Sequence, residues 1–180
     1  VAGLLSAGCG EGDAAERSSV AEPPAPVVAE SPAPAAVRLE GGAASLEELL
    51  RTVERALAES DTARLFDLMV SEREYREVVY PELPASQPPI GASFESIWVT
   101  HFPDAYRGLL HGLRDYGGRD VRILEVRFDL PDQDFGRFIL HETSRVDIEV
   151  EGRREDDRRL FGSVIHAGDQ WKVLSYTDTD

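Results

Sequence analysis

The sequence predicts an α+β domain: helices packed on a curved, mainly antiparallel sheet of four or more strands, behind a disordered tail. Three observations carry this. Apolar residues recur with a helical period from Leu46 to Leu113. From Arg119 onward the period falls to two, as in strands with one face buried. Residues 10–44 show neither period. A run of helices followed by a run of strands is the order of an α+β fold, with the helices gathered on one face of the sheet.

The first helix opens at Ser45-Leu46-Glu47-Glu48, a capping box in which the serine takes an amide proton and Glu48 reaches back. Leu46, Leu49, Leu50, Val53 and Leu57 then form one apolar face. Ser60-Asp61 ends this helix and caps the next, which carries Leu65, Phe66, Leu68 and Met69. Ser71 and Glu74 make a second box before Tyr75, Val78 and Val79, and Pro81 stops that segment. A proline-rich loop, PELPASQPPIGA, spans 81–92. Phe94, Ile97, Trp98, His101 and Phe102 resume the helical spacing, which Tyr106, Leu109, Leu110 and Leu113 continue to Gly117-Gly118. Pro103 inside this pattern predicts a kink or break. Leu124, Val126 and Phe128 alternate with charged residues, as do Val146, Ile148 and Val150. Arg145, Asp147 and Glu149 are thereby expected on the outer face, solvated or paired. EGRREDDRR (151–159) reads as a charged turn or loop, and RLFGSVIHAGDQWKVLSYTD as two strands around Ala167-Gly168-Asp169-Gln170, with His166 exposed at the hairpin end.

The chain has 180 residues, room for one domain with a real core. Its formal net charge of −15 argues against electrostatic binding to nucleic acid or anionic headgroups. Of 19 basic residues only Lys172 is lysine. One cysteine excludes an intrachain disulfide, and four scattered histidines lack ligand spacing, so neither a metal site nor a cofactor is expected.

The start of the chain reads VAGLLSAG and then Cys9: an apolar run, small residues and a cysteine. Ser6-Ala7-Gly8-Cys9 resembles the bacterial lipobox, with Ser6 where leucine is usual. Residues 1–8 are then the C-terminal part of a signal peptide, and Cys9 is the lipidated first residue of the mature protein. Two acyl chains at about 0.8 kcal/mol per buried methylene give a stable anchor. The resemblance implies a bacterial cell-envelope location; Gly10 rather than aspartate after Cys9 points to the outer membrane, facing the periplasm, over the inner. Residues 9–44, whose run AEPPAPVVAESPAPAA holds five of the 11 prolines, read as a disordered linker, and 45–180 as the domain.

ALAESDTARLFDLM (56–69) and GSVIHAGDQWKVLSY (162–176) resemble the early helical turn and the final hairpin of the NTF2-like superfamily, whose cone is shared by nuclear transport factor 2, ketosteroid isomerase and SnoaL-type cyclases. Its catalytic members work inside the cone, but no catalytic set of theirs maps onto this chain. Tyr75, Trp98, His101 and Tyr106 are the candidate pocket-lining residues; His101, on an apolar stripe, is read first as a core or boundary histidine with one hydrogen bond. The expectation is a non-enzymatic, lipid-anchored domain that binds a partner protein or a small apolar ligand, or that dimerises through its open sheet face. The alternative is an isomerase, dehydratase or hydrolase acting on an apolar substrate in the cone.

Overall fold

A computed structural model describes residues 39–142 and 144–177. The chain divides into Val1–Ala33 and Pro34–Asp180, and the described residues all belong to the second unit. Cys9, the segment expected to be a signal peptide and the expected linker up to residue 38 lie outside them.

Helix α1 spans Leu46–Ala58. The Ser45 hydroxyl accepts the Glu48 amide as expected, but the Glu48 carboxylate takes the amide of Ala44, 2.9 Å away. Leu49, Val53, Ala56 and Leu57 are its buried stripe. Asp61 caps α2, Thr62–Asp67. Ser71 and Glu74 form the complete capping box of the single-turn α3, Glu72–Glu74, which passes into a π-helical turn over Tyr75–Val79 and 3₁₀ turns at Tyr80–Glu82 and Pro84–Ser86. Helix α4 runs Phe94–Tyr116 as one element across Pro103, so of the expected kink or break the break is absent. Proline removes one amide, the one that would serve the Val99 carbonyl. Both residues are exposed, so water can take that carbonyl, while buried Phe94 and Leu109 hold the two halves down.

Among the described residues seven antiparallel strands follow, in two open sheets rather than the single curved sheet expected. One has the order β1-β4-β5: Val121–Phe128, Ser144–Val150 and Arg153–Arg158. The other has the order β2-β3-β6-β7: Gln133–Asp134, Ile139–Glu142, Phe161–Ala167 and Gln170–Tyr176. Only residue 143 separates β3 from β4, so one stretch of chain supplies both sheets. The Ser144 hydroxyl donates to the Phe161 carbonyl at 2.6 Å, tying the start of β4 to β6. The segment read as a charged loop is mostly β5, an edge strand whose charges discourage further pairing.

Arg145, Asp147 and Glu149 do face away from the aliphatic side of β4, but Asp147 is not solvated. It is 5% exposed, with Arg127 and Arg154 guanidinium nitrogens at 2.8 and 3.0 Å and the Asp157 amide at 3.0 Å. The Arg127 hydrogen bond first, then the Asp157 amide, hold its carboxyl well below the usual range. Its stabilisation is therefore present above the unfolded value near 3.9 and is lost as pH falls through the folded value.

The β6-β7 half of the β2-β3-β6-β7 sheet is buried on both faces. Val164 and Val173 enter a cluster with α1, α2 and the second half of α4; Ile165 and Leu174 enter another with Tyr75, Val78, Val79 and Phe94. This explains why β6 and β7 are apolar at successive positions. The free edge of β7 is covered too: Ala43 and Trp171 exchange amide–carbonyl bonds of 3.0 and 2.7 Å, and Val173 bonds Leu68 and Val70 at 2.9 Å each. Leu39 and Ala43 are buried, so residues 39–44, expected to end the linker, pack as a strap on the domain.

Candidate functional site

Aromatic residues stand every fourth position along α4: Phe94, Trp98, Phe102 and Tyr106. Neighbouring rings are offset-stacked, with centroids 5.9, 5.1 and 5.9 Å apart and interplanar angles of 17°, 26° and 15°. Four residues advance a helix by about 400°, so the ridge drifts about 40° per step. It therefore starts in the core at Phe94 and climbs to half-exposed Trp98, Phe102 and Tyr106. Phe66 of α2, 43% exposed, meets Phe102 and Tyr106 edge-on at 6.2 and 6.1 Å.

Beside this ladder lies a cleft of about 540 Å³. Phe66, Met69, Trp98 and Phe102 form its apolar wall, the strap residues Glu40 and Gly41 one rim, and Glu74 and Lys172 its floor. A second depression, about 560 Å³, lies between Phe66, Phe102 and Tyr106. Phe66 and Phe102 are thus a shared partition.

The floor is a buried ion pair. Lys172 is 2% exposed and Glu74 6%. The Lys172 ammonium donates to both Glu74 oxygens at 2.9 and 3.2 Å and to the Glu40 carbonyl at 2.8 Å. Glu74 also accepts the Ser71 amide and hydroxyl, both at 2.7 Å, and the Glu40 amide at 2.6 Å. Burial raises the Glu74 pKa, but the Lys172, Ser71 and Glu40 donors together outweigh it and leave the carboxyl below its ordinary value. A pair with all these bonds made is a fixed, polar floor whose charges offset one another. It also fastens the strap, the capped α3 and β7 to one another.

The four predicted pocket residues do not line one pocket, although Tyr75, Trp98 and His101 are in mutual ring contact. Trp98 lines the cleft and Tyr106 the neighbouring depression. Tyr75 and His101 lie on the other flank of α4, in a groove of about 670 Å³ against the end of β7. Tyr75 is buried, its rings 4.8 Å from His101 and 5.3 Å from Trp98, and burial raises its phenol pKa. His101 makes the one hydrogen bond expected of a boundary histidine, from Nε2 to the Leu174 carbonyl at 3.1 Å. Burial holds it below the ordinary imidazole value, against the smaller opposing effects of that carbonyl and Asp104.

Other sequence readings shift. His166 is half-buried, stacked 4.6 Å from Trp171, rather than exposed at a hairpin end. His141 stacks on Trp171 as well, at 4.9 Å, and its Nδ1 meets Asp132 at 2.7 Å. The outward face of β1-β4-β5, the open sheet face considered for a dimer, is charged: Arg122–Glu149, Arg127–Asp147 and Arg145–Asp157 pair across it. Lys172, Glu74 and Phe66 were not singled out as site residues. The one signal available was a lone lysine among 18 arginines, sited in a strand where alternation alone does not place it inside.

Among the described residues no helix is long and apolar enough to cross a membrane. No protein-family model, curated protein or solved structure matches the chain.

Proposed function

We propose that this chain is a lipid-anchored, non-enzymatic domain of a bacterial cell envelope, facing the periplasm from the outer membrane, and that it holds a small apolar ligand in the aromatic cleft of α4. We read the α+β fold as a variant of the NTF2-like cone. The carrying observation is the cleft, about 540 Å³ with Phe66, Met69, Trp98 and Phe102 on its wall. That is the size and lining of a small-molecule site, and its concavity favours a small ligand over a flat protein partner. The filled core argues in the same direction: Leu49, Val53, Leu109, Val146, Ile148 and Phe161 occupy the space between α1 and the sheets, where an enzyme working inside the cone would need room.

The neutral dye N-phenyl-1-naphthylamine should bind with increased fluorescence, and Trp98→Ala should weaken its binding about tenfold or more. Trp98 is half-exposed, so the same variant should lose only about 1–2 kcal/mol of stability, less than the 3–5 of a fully buried aromatic. Unchanged dye affinity in a folded Trp98→Ala variant would contradict the proposed site. The anchor is tested separately: Cys9→Ser should move the domain from the membrane fraction to the soluble fraction, and continued membrane association would overturn that part.

A further inference from the structure

The aromatic cleft and the depression beside it are two ends of one surface. They share Phe66 and Phe102, whose ring centroids are 6.2 Å apart. Phe102 stacks on Trp98 at the cleft end, at 5.1 Å, and on Tyr106 at the other, at 5.9 Å. The crest of the shared partition is wet. Phe66, 43% exposed, is the most exposed aromatic ring among the described residues, and Phe102 is half-exposed. A compact ligand in either depression leaves that crest in water. A ligand that lies across it takes the ring surface out of water, and that removal favours binding.

The two ends differ in polarity. Exposed Glu40, Arg64, Asp67 and Glu72 border the cleft. No charged side chain lines the depression, where Thr62, Ala63 and Tyr106 complete the wall. Helix α4 sets the length. Trp98 and Tyr106 are eight residues apart, about 12 Å of helical rise. An extended hydrocarbon chain advances about 1.3 Å per carbon, given C–C bonds of about 1.5 Å, and spans that distance in about ten carbons.

We infer that the ligand of the cleft is a single-chain amphiphile: an unbranched alkyl chain of about ten carbons or more, laid along α4 over the Phe66–Phe102 partition. Its polar head stays in water among the charges at the cleft end, and its tail lies against Tyr106. This rests on the cleft being a ligand site, as proposed above, and adds the shape and length of what fills it.

The test is displacement of N-phenyl-1-naphthylamine from the full chain by hexyl, octyl, decyl, dodecyl and tetradecyl maltosides, each below its micelle-forming concentration. Affinity should rise about tenfold for each two carbons as far as decyl or dodecyl, against about fifteenfold for full burial of two methylenes, and then level off. Ala63→Glu puts a charge into the second depression and should cut the dodecyl-to-hexyl affinity ratio about tenfold or more. Ala63 is exposed in the first turn of α2, where an acidic side chain suits the helix dipole, so folding is not at stake. Tyr106→Ala should cut the same ratio, whereas Trp98→Ala should weaken every chain length. Hexyl and dodecyl maltosides of equal affinity, affinity that climbs undiminished through tetradecyl, or an Ala63→Glu variant with the native ratio would overturn the inference. If the dye still binds and Trp98→Ala weakens it, those results leave the cleft standing as a ligand site; a dye that does not bind at all removes both.

Discussion

Lys172→Met will destabilise the domain by about 3–5 kcal/mol, the usual cost of removing one member of a buried ion pair. The ammonium makes three hydrogen bonds, two to Glu74 and one to the Glu40 carbonyl. Methionine fills much the same volume but leaves a 6% exposed carboxylate without a counter-charge. For a domain of this size the loss corresponds to a melting temperature lower by about 10 °C or more. The pH dependence carries the signature. In the native chain the Glu74 pKa is lowered, so its stabilisation is present above the unfolded value near 4.3 and is lost as pH falls through the folded value. In the variant, burial is no longer opposed by the ammonium and Glu74 titrates at higher pH. The stability gap between the two proteins should therefore narrow on acidification. Adding Glu74→Gln should restore part of the loss: glutamine keeps the capping box with Ser71 and removes the stranded charge, but its amide nitrogen replaces the oxygen that accepts the Glu40 amide. Denaturant unfolding of the three proteins between pH 4 and 8 checks this; a gap that widens toward acid would show that the pair is not the cause.

Gly108→Ala is the second large effect, and two terms compete. Alanine gains about 1 kcal/mol of helix propensity over glycine. A Cβ at Gly108, however, would run into the Tyr176 carbonyl oxygen and stand 2.5 Å from its carbon and 2.8 Å from the carbonyl carbon of Thr177. All three are backbone atoms, so no rotamer change relieves the clash, and α4 must move off the end of β7. Overpacking of this kind costs about 1–3 kcal/mol, often more when backbone must shift. The expected result is a net loss of about 2 kcal/mol. Gly112, one turn on, is the control: its Cβ would meet only Leu160 Cδ1 at 3.4 Å, an ordinary contact. Gly112→Ala should be neutral or stabilising by up to about 1 kcal/mol. Thermal denaturation of the two variants side by side decides whether α4 sits on β7 as closely as described.

The parts of this fold that were legible in the sequence are those set by local chemistry. The Ser71–Glu74 box, the Gly117-Gly118 stop and the Ala167–Gln170 turn lie where short-range rules put them. What was missed depends on partners far along the chain. β5 has a strand's hydrogen bonds without a strand's alternation, because as an edge strand it leans on β4 and exposes charges on both sides. Pro103 is tolerated because packing on either side outweighs one missing hydrogen bond. Burial on both faces of β6 and β7 defeated the reading of His166, since alternation marks inside from outside only when one face is wet. At the site, the helical spacing of Trp98, His101 and Tyr106 was visible. Their division among three depressions was not: it turns on the 40° drift of the ridge and on where α2 and β7 meet α4. Lys172 lay beyond sequence reasoning, because its partner Glu74 is 98 positions away.

The chain holds two tryptophans, Trp98 on the wall of the cleft and Trp171 stacked with His141 and His166 on β7. Their two indole N–H resonances give the most direct measurement of the central claim. On titration with N-phenyl-1-naphthylamine, the account predicts a saturable shift of the Trp98 resonance, with the Trp171 resonance stationary. A shift confined to Trp171, or dye binding that moves neither resonance, would contradict the aromatic cleft as the ligand site.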